Sequence, residues 1–575
     1  MYFNYKKYFS VHLQGISDGH YKFITVDIGE YGRRSDGGVF TESNVFHHLE
    51  NNSVNVPPNN PLPGTTYAVP YVFLGDQARL QKSEILRTRA CNIVTGVPGP
   101  KHDAKNIDSS DILSAWQLFI ADDFLETVLL NTNININEKK GKYMMPETTY
   151  LKLLDMIELK AFIGLLYLSS IMKSNHENNA GLFANDGTGR DIFRATMSMQ
   201  RFLFILSCLR FDCAATRDVR KIDDKLAAIR DLWEVFLTNC KKYYTPGCNV
   251  TIDEMLVPFR GRCSFRMYMS NKPAKYGLKI LCLCDSQTFY LCNAFVYTGK
   301  NTNKTTLSIP TETVLELVTP IEYTKRNITV DNWFMSLELC EQLKTRKLTV
   351  LGTIKQNKPQ IPQEFKPNRK RPVESSLFGH NNEKTICSYV PRKNRAVVLL
   401  STMHSDQKIS DYKNKPDIII DYNQTKAGVD VLDQLCANYT VSRRTRRWPL
   451  TILYTILNIV GVNFSVILRY NKNMGELNSI TRRNMLKTLG MALVIPHIKR
   501  RPVRYLTREL RNAITKISGD TPSSTPSESE PLRKARCCIC PRQADKKTKV
   551  VCEMCDKHIC QGHRHSICPN CLQLC

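Results

Sequence analysis

Acidic side chains are scarce in this chain of 575 residues, which has 53 Asp and Glu against 80 Lys and Arg. The resulting formal net charge of +27 is self-repulsive unless a polyanion is the partner. Neutralisation of phosphates by Lys and Arg releases counterions, so nucleic acid is the natural candidate. Charge alone leaves a membrane surface or the ribosome open as partners.

The amino-terminal residues MYFNYKKYFSVHLQG lack the long apolar core and the cleavage site of a secretory signal. The cysteines also lack the spacing of a secreted disulfide scaffold. Nine of the 21 lie between Cys537 and Cys575, and the others are scattered through segments that resemble core or strand. We therefore expect a reduced, intracellular protein.

One uncharged run, Trp448 to Leu468, is long enough to cross a bilayer. Polar residues such as Thr451, Asn458 and Asn463 interrupt it, and basic residues flank both of its ends. We predict a buried helix here rather than a membrane span, and we expect no membrane partner.

The spacing of apolar residues changes along the chain, and no internal repeat is found. Apolar residues recur at helical spacing from about residue 109 to 247 and again from about 421 to 516. Between Asn249 and Ile354, short β-branched runs alternate with helices expected at about 311 to 319 and 335 to 345, which favours an α/β sheet. Residues 356 to 420 read as strand-poor or mixed, and 516 to 534 as a flexible linker rich in Ser, Thr and Pro.

Four aspartates stand in three ordered motifs: Asp253 in TIDEMLVPFRGR, Asp331 in ITVDNWF, and Asp430 with Asp433 in AGVDVLDQ. We expect Asp253 on an early strand, Asp331 at the end of a later strand, and the other two on one face of a helix. Two-metal cleavage of a phosphodiester needs such converging carboxylates, which Mg²⁺ prefers as ligands. The competing interpretation is that these aspartates cap turns and that Asp433 is a surface charge. Glu254 should point to the opposite face of its strand.

Basic residues cluster beside these acids, and we expect them to contact DNA phosphates, although any one of them could be solvated surface. They are Arg260, Arg262, Lys272, Lys275, Lys355, Lys358, Arg443, Arg444, Arg446 and Arg447.

The carboxyl-terminal tail holds eight soft ligands in four pairs, each pair with two residues between its members. The pairs are Cys537 and Cys540, Cys552 and Cys555, Cys560 and His563, and Cys568 and Cys571. Eight such ligands suffice for two tetrahedral zinc sites, and zinc would supply the stability that so short a segment cannot obtain from a core. Cys538, Cys575, His558 and His565 could compete as ligands.

The motifs TIDEMLVPFRGRCSFRMYMSNKPAKYGLKI, ITVDNWFMSLELC, LTVLGTIKQNK and YNQTKAGVDVLDQ, with the RRTRRWP run, closely resemble the piggyBac family of cut-and-paste DNA transposases. The resemblance covers roughly residues 109 to 575. It implies an α/β ribonuclease-H-like catalytic domain split by an insertion, flanked by helical DNA-binding and dimerisation segments, and followed by a small cross-braced zinc module.

The resemblance also implies roles for single residues. Asp253, Asp331 and Asp430 would hold two Mg²⁺ ions, and Asp433 matches a further acidic position of the family. In the cross-braced arrangement, Cys537, Cys540, Cys560 and His563 would bind one zinc ion, while Cys552, Cys555, Cys568 and Cys571 would bind the other. The zinc module would recognise the terminal repeats of the element. The expected protein is a nuclear homodimer that excises double-stranded DNA through hairpin ends and inserts it at TTAA targets.

We predict nine segments along the chain. They are a nuclease fragment at 1–80, a linker at 81–108, a helical segment at 109–247, the first catalytic part at 248–355, an insertion at 356–420, the second catalytic part at 421–441, a helical segment at 442–515, a linker at 516–534 and the zinc module at 535–575.

The first residues do not follow the piggyBac pattern. YKFITVDIGEYGRRSDGGVFTESNVF and PYVFLGD resemble part of a nuclease of the Harbinger superfamily, in which Asp18 and Asp76 would match the first two catalytic acids. The resemblance ends after Asp76 without a third acid. We expect an inert fused remnant or a gene-model artefact.

Two other classes of protein remain open. A domesticated DNA-binding protein would keep the zinc tail and the basic clusters without cutting DNA. A zinc-module interaction protein, including a ubiquitin ligase, would share the order of zinc ligands but would not need the carboxylate motifs.

Overall fold

The fold is known from a computed structural model, which divides the chain into two compact units, Met1–Arg87 and Thr88–Cys575. The residues described are 11–17, 23–31, 51, 60–61, 68–69, 89, 92–299, 306–381, 383–410, 414–471, 481–502, 506–519, 534–552 and 557–563.

The first unit contains an antiparallel pair of strands, β1 (Val11–Ser17) and β2 (Phe23–Tyr31), and a short pair, β3 (Asn60–Pro61) with β4 (Ala68–Val69). The strand expected within YKFITVDIG is therefore confirmed. Asp18 and Asp76 lie outside the described residues.

The second unit begins with the ordered segment that leads into its helices. Strand β5 (Gly99–Pro100) pairs with β6 (Tyr244–Thr245), and Ala104 is fully buried. Residues from about 92 onward thus pack on the body of the unit, and the expectation of a linker over the whole of 81–108 is wrong for this part. The buried Ala104 side chain and the pairing of β5 with β6 hold this part of the chain against the rest of the unit.

Helices follow in the region where helical spacing predicts them. They are α1 (Ile112–Gln117), α2 (Asp122–Lys140), α3 (Met156–Ile171), α4 (Asn179–Leu182), α5 (Asp191–Thr196), α6 (Met199–Cys208), α7 (Ala214–Asp223) and α8 (Arg230–Tyr243). Side-chain caps start several of them, since Asp111, Asp155 and Ser198 each accept a hydrogen bond from a backbone N–H in the first turn.

A mixed sheet forms the centre of the unit. Its first strands are β7 (Asn249–Pro258), β8 (Arg266–Tyr268), β9 (Tyr276–Asp285), β10 (Leu291–Val296), β11 (Asn327–Val330) and β12 (Thr349–Thr353), with helices α9 (Ile309–Val318) and α10 (Leu337–Thr345) between them. The order is β10-β9-β7-β11-β12, in which β7, β11 and β12 are parallel and β9 and β10 run antiparallel to β7 and to each other. The α/β sheet and both helices agree with the sequence-based expectation.

The segment 356–420 is richer in strands than its sequence suggests. Strands β13 (Ser376–Asn381), β14 (Lys384–Arg392) and β15 (Arg395–Ser401) form a meander, and β15 pairs antiparallel with β12. The meander therefore extends the central sheet. Four consecutive residues of β14, Cys387 to Val390, are buried, so both faces of this strand are covered in its middle part.

After the short pair β16 (Ile409–Ser410) and β17 (Lys415–Pro416), helices resume. They are α11 (Asp417–Thr425), α12 (Gly428–Asn438), α13 (Trp448–Asn471), α14 (Arg482–Lys499) and α15 (Arg508–Ser518). Helix α13 is the one described helix that is long and apolar enough to cross a membrane, and 94% of its most apolar window is buried in the protein. The prediction of a buried core helix is confirmed.

The tail contains one short antiparallel pair, β18 (Ala535–Arg536) with β19 (Lys547–Thr548). Of the linker predicted at 516–534, residues 516–518 end helix α15, and residues 520–533 lie outside the described part of the chain.

Candidate active site and zinc centre

Asp253 and Asp331 lie side by side on two adjacent parallel strands. Ile252 of β7 is paired with Val330 of β11, so the next residue of each chain segment is an aspartate at the same level of the sheet. Neighbouring strands are about 4.8 Å apart, which places the two carboxylates within reach of one shared ion. Val330 is in turn paired with Gly352 of β12, so Thr353 continues the same row.

The two strands share a pattern that sequence analysis did not use. Each reads Asn-x-Thr-x-Asp, and the register pairs Asn249 with Asn327 and Thr251 with Thr329. Asn327 Nδ2 donates to Asn249 Oδ1 at 3.1 Å. Because side chains alternate along a strand, the threonines and aspartates share one face. The repeated pattern was a readable signal that these strands are neighbours in register.

Thr425, at the end of α11, binds both threonines. Its carbonyl oxygen accepts from Thr251 Oγ1 at 2.5 Å, and its hydroxyl lies 2.7 Å from Thr329 Oγ1. These contacts hold the α11–α12 junction over the two threonines, each of which lies two residues before an aspartate.

Helix α12 then packs on β7 and β9. Gly428 begins it at a close approach, because a Cβ at this position would lie 2.5 Å from Thr251 Oγ1. The three-residue spacing that follows brings Asp430 and Asp433 to the same face of the sheet as Asp253. The four acids thus lie in one region of the unit, with Lys272 next to Asp430.

The Lys272 ammonium lies among these acids. Its Nζ is 3.3 Å from Asp430 Oδ1 and donates to the Glu254 carbonyl oxygen at 3.0 Å. Burial alone would lower the pKa of Lys272, but the charges of Asp253 and Asp430 outweigh burial and raise it.

Asp253 is poorly solvated. The pKa of Asp253 is raised to about 7, first by burial and then by the negative charges of Glu254 and Asp331. The positive charge of Lys272 lowers this pKa in part. The pKa of Asp433 is also raised by burial and by the charge of Asp430, against the charge of Lys272, and its side chain is half-buried. A site that stabilises protonated carboxyl groups needs a nearby cation in order to ionise.

Tyr422 is a member of this site that sequence analysis missed. Its side chain is hydrogen-bonded to that of Thr353. The pKa of Tyr422 is raised, first by burial and then by the charges of Asp331 and Asp253. Glu254 lies on the opposite face of β7 from Asp253, as predicted. There its carboxylate is 3.9 Å from the ammonium of Lys279, a residue of β9 that is paired with Leu256.

The donor set suits a hard divalent cation, because it consists of carboxylates that burial leaves short of positive charge. The oxygens do not form a closed ligand set around a point. Among the described residues, three or more ligand atoms lie within 4.8 Å of one another in the tail, and not at these acids. Side-chain rotation of the aspartates, and movement of Lys272, would be needed to surround an ion.

The predicted phosphate contacts fall into three classes by exposure. Arg260, Arg262, Lys275, Lys355, Arg444 and Arg446 are exposed, Lys272, Lys358 and Arg447 are half-buried, and Arg443 is buried. Arg443 donates to the carbonyl oxygens of Ser174 and Glu177 at 3.3 and 2.7 Å. This guanidinium holds the α3–α4 loop rather than facing solvent, which corrects the expectation that it contacts DNA.

The tail brings Cys537, Cys540, Cys560 and His563 together, with all four ligand atoms within 4.8 Å of one another. Cys540 Sγ lies 3.6 Å from Cys560 Sγ, and His563 Nδ1 lies 3.8, 3.6 and 3.3 Å from the sulfurs of Cys537, Cys540 and Cys560. A tetrahedron with Zn–S bonds of about 2.3 Å has edges of about 3.8 Å, so these separations fit zinc.

The electrostatics of the cluster agree with this fit. The pKa of Cys537 is lowered to about 6, because hydrogen bonds from backbone N–H groups outweigh its burial. A thiolate and three further donors are what a structural zinc ion requires. For the second predicted site, Cys552 is buried, while Cys555, Cys568 and Cys571 lie outside the described residues.

Comparison with known proteins gives two family matches. Residues 113–463 match the family described as Transposase IS4, and residues 1–83 match the family described as DDE superfamily endonuclease. The second match agrees with the nuclease fragment expected at 1–80.

Two human relatives are similar to the chain over 356 residues at 24% identity. The alignment covers 58% of this chain in each case, but 57% of PiggyBac transposable element-derived protein 3 and 32% of Chimeric ERCC6-PGBD3 protein. The chain thus spans just over half of the first relative and a third of the second.

A solved structure is similar over a longer stretch. The cryo-EM structure of a piggyBac transposase synaptic complex with hairpin DNA aligns with 83% of this chain and 100% of its own, at 35% identity and a TM-score of 0.72. This likeness confirms the ribonuclease-H-like fold class predicted from the sequence. With a family match over residues 113–463 and this structural match, the chain belongs to the piggyBac family of DNA transposases.

Proposed function

We propose that the chain is a cut-and-paste DNA transposase whose cleavage centre is formed by Asp253, Asp331 and Asp430, with Asp433 beside them. The observation that carries this proposal is the parallel register that sets Asp253 next to Asp331, with helix α12 packed over them. Two Mg²⁺ ions at these carboxylates would supply the positive charge that activates an attacking oxygen and stabilises a leaving oxygen.

The reaction is a series of in-line displacements at phosphorus. Water first attacks the phosphodiester at the element end, and the 3′-oxygen leaves and takes up a proton. The freed 3′-hydroxyl then attacks the opposite strand, which closes a hairpin and releases the flanking DNA. Water then opens the hairpin and restores the 3′-hydroxyl. This hydroxyl attacks a phosphodiester of a TTAA target, which joins the element to the target while the 3′-oxygen of the target strand leaves and takes up a proton.

The residues of the chain position this chemistry. Thr425 and Gly428 fix helix α12 against the strands, and Tyr422 borders the two strand aspartates. The exposed residues Arg260, Arg262 and Lys355 lie at the carboxyl ends of β7 and β12, where they would bind backbone phosphates.

The partners proposed for the chain follow from the family. The similar solved structure is a synaptic complex with hairpin DNA, which supports DNA as the substrate. We propose double-stranded element ends as that substrate and a homodimer as the working form, as the resemblance to the family implies. The central TA step of TTAA is easily deformed, which suits a target that must bend into a narrow site. The zinc module would hold two ions and bind the terminal repeats, and the protein would act in the nucleus.

A plasmid carrying the genomic inverted repeats that flank the coding sequence tests the proposal. With Mg²⁺, the wild-type protein should nick the repeats, and Asp253→Asn, Asp331→Asn and Asp430→Asn should each abolish nicking while leaving end binding intact. Glu254→Gln is the matched control, because it removes a carboxylate from the same strand on the opposite face. Full nicking by any of the three aspartate variants would end the proposal.

A second candidate is a DNA-binding protein that no longer cuts. It is favoured by the similarity to a human protein named as derived from a transposable element. Repeat binding by the wild-type protein without nicking or excision at any Mg²⁺ concentration would select this candidate.

A further inference from the structure

A cleft of about 200 Å³ opens between the end of α6, helix α7 and the start of α13. Four arginines line it, Arg210, Arg217, Arg446 and Arg447, and the rings of Phe211 and Trp448 form part of its wall. We call it the arginine cleft. Its volume corresponds to roughly six waters, which is enough for a phosphate group with part of its hydration shell.

The cations of this region repel one another. The pKa of Arg447 is lowered to about 10, first by burial and then by the charges of Arg210 and Arg217. The pKa of Arg210 is lowered by burial and then by Arg217, and that of Lys139 is lowered by burial and also by Arg210 and Arg447. Uncompensated positive charge of this kind is stabilised by an anion.

Some of the charge is compensated inside the protein. Arg447 donates to the carbonyl oxygens of Leu206 and Leu209 at the end of α6, and Lys139 donates to Ser207 at 2.7 Å. Asp212 is shared between Arg217 and Arg220, at 2.5 and 2.7 Å.

Two guanidinium groups of the cleft, those of Arg210 and Arg446, have no carboxylate oxygen within 4 Å among the residues that the structure describes. Arg210 Nη1 donates to the Leu209 carbonyl oxygen at 3.1 Å, and Arg446 is exposed. Both can therefore present N–H donors to a group that enters from solvent.

The cleft adjoins the strand that carries Asp253. Gly261, three residues beyond the end of β7, lies so close to the Arg446 carbonyl that a Cβ on it would be 2.5 Å away, and the Phe265 ring packs against Trp448 at 5.1 Å. Pro258 lies five positions beyond Asp253 on the same strand. These five positions span about 17 Å, roughly the length of five phosphates along one DNA strand.

We infer that the arginine cleft binds a backbone phosphate of the DNA that is held at the active site, with Arg210 and Arg446 as its donors. The inference rests on the proposed function because it requires DNA at the neighbouring acids. It adds Arg210, on the segment between α6 and α7, to the surface that positions the substrate.

The experiment measures binding of the full chain to a fluorescent 40-base-pair duplex by anisotropy between 50 and 400 mM salt. Arg210→Gln and Arg446→Gln should each weaken binding severalfold at 150 mM and reduce the slope of log K against log salt by about 0.9, the value for one phosphate. Arg346→Gln is the matched control, because the guanidinium of Arg346 is already paired with Glu322 at 2.8 Å and lies outside the cleft. It should keep the wild-type slope.

Thermal unfolding of each variant checks its fold, and Arg446→Gln, an exposed change, keeps the test valid if Arg210→Gln unfolds. Slopes and affinities equal to those of Arg346→Gln, with duplex bound by the wild type, would overturn the inference and leave the proposed function standing. A wild-type protein that binds no duplex would overturn both.

Inorganic phosphate provides the second arm. If 1 mM phosphate raises the Tm of the wild type but not of Arg446→Gln, while the salt slopes are unchanged, the cleft takes a free phosphate and the assignment to DNA is wrong. No such shift, together with the reduced slopes, confirms the DNA backbone as the ligand.

Discussion

Lys272 Nζ lies 3.3 Å from Asp430 Oδ1, in the region where a divalent ion would be expected. The same ammonium donates to the Glu254 carbonyl oxygen, which ties it to the strand of Asp253. Lys272 therefore brings a positive charge next to the acidic residues of this region.

Replacing Lys272 by methionine removes a positive charge that competes with Mg²⁺. We expect Mg²⁺ to bind Lys272→Met more tightly, on the order of tenfold, because Coulomb repulsion of the ion is relieved. The variant should be less stable than the wild type without metal and show a larger rise of Tm in Mg²⁺. Lys275→Met, three residues away and exposed, is the control. Equal Mg²⁺ shifts in the wild type and Lys272→Met would contradict this account.

Gly428→Ala tests how helix α12 is held over the strands. The new methyl group would lie 2.5 Å from Thr251 Oγ1, so the helix must move away from β7. We expect a loss of roughly 1–3 kcal/mol in the free energy of unfolding. The Mg²⁺-induced rise of Tm should also shrink, since Asp430 and Asp433 move with the helix. Gly141→Ala is the control, because a Cβ there meets open space. An unchanged Mg²⁺ response in Gly428→Ala would show that the close approach does not position the acids.

The sequence predicts the strands that carry Asp253 and Asp331 well, because local signals and tertiary packing agree there. The β-branched runs around Asp253 and Asp331 can bury both faces of a central strand, and the prediction of a buried helix at Trp448 depends on the same apolar continuity. The positions of Lys272, Tyr422 and Thr425 were not predictable in this way, because each depends on a contact between distant segments.

The errors have related physical causes. The meander of β13 to β15 follows a basic, proline-containing run that suggests a loop, although it adds three strands to the sheet. Arg443 belongs to a run of arginines that resembles a solvated phosphate-binding segment. Its burial became visible only when the carbonyl groups of Ser174 and Glu177 were placed beside it.

The cysteine cluster predicts a measurable loss of metal. Cys537→Ser with Cys540→Ser should remove one zinc ion per chain, because half of one tetrahedral ligand set is lost. The amount released by a thiol reagent, detected with a chromogenic chelator, gives the count. Cys538→Ser is the control, since Cys538 is exposed and lies outside the cluster. Equal zinc content in the double variant and the control would mean that these two thiols do not bind the ion.

His497 predicts how stability responds to acid. Burial lowers its pKa to about 4, with Arg500 acting in the same direction and Glu158 against it, and its Nδ1 lies 2.9 Å from an Arg500 nitrogen. Because its pKa in the unfolded chain is about 6.5, the unfolded state takes up a proton first, and stability falls as pH drops from about 6.5 to 4. The loss reaches roughly 2 kcal/mol at pH 5. His497→Gln should flatten the dependence of the urea midpoint on pH between 7 and 5, whereas the exposed His176→Gln should not. A wild-type slope retained in His497→Gln would assign the acid sensitivity to other groups.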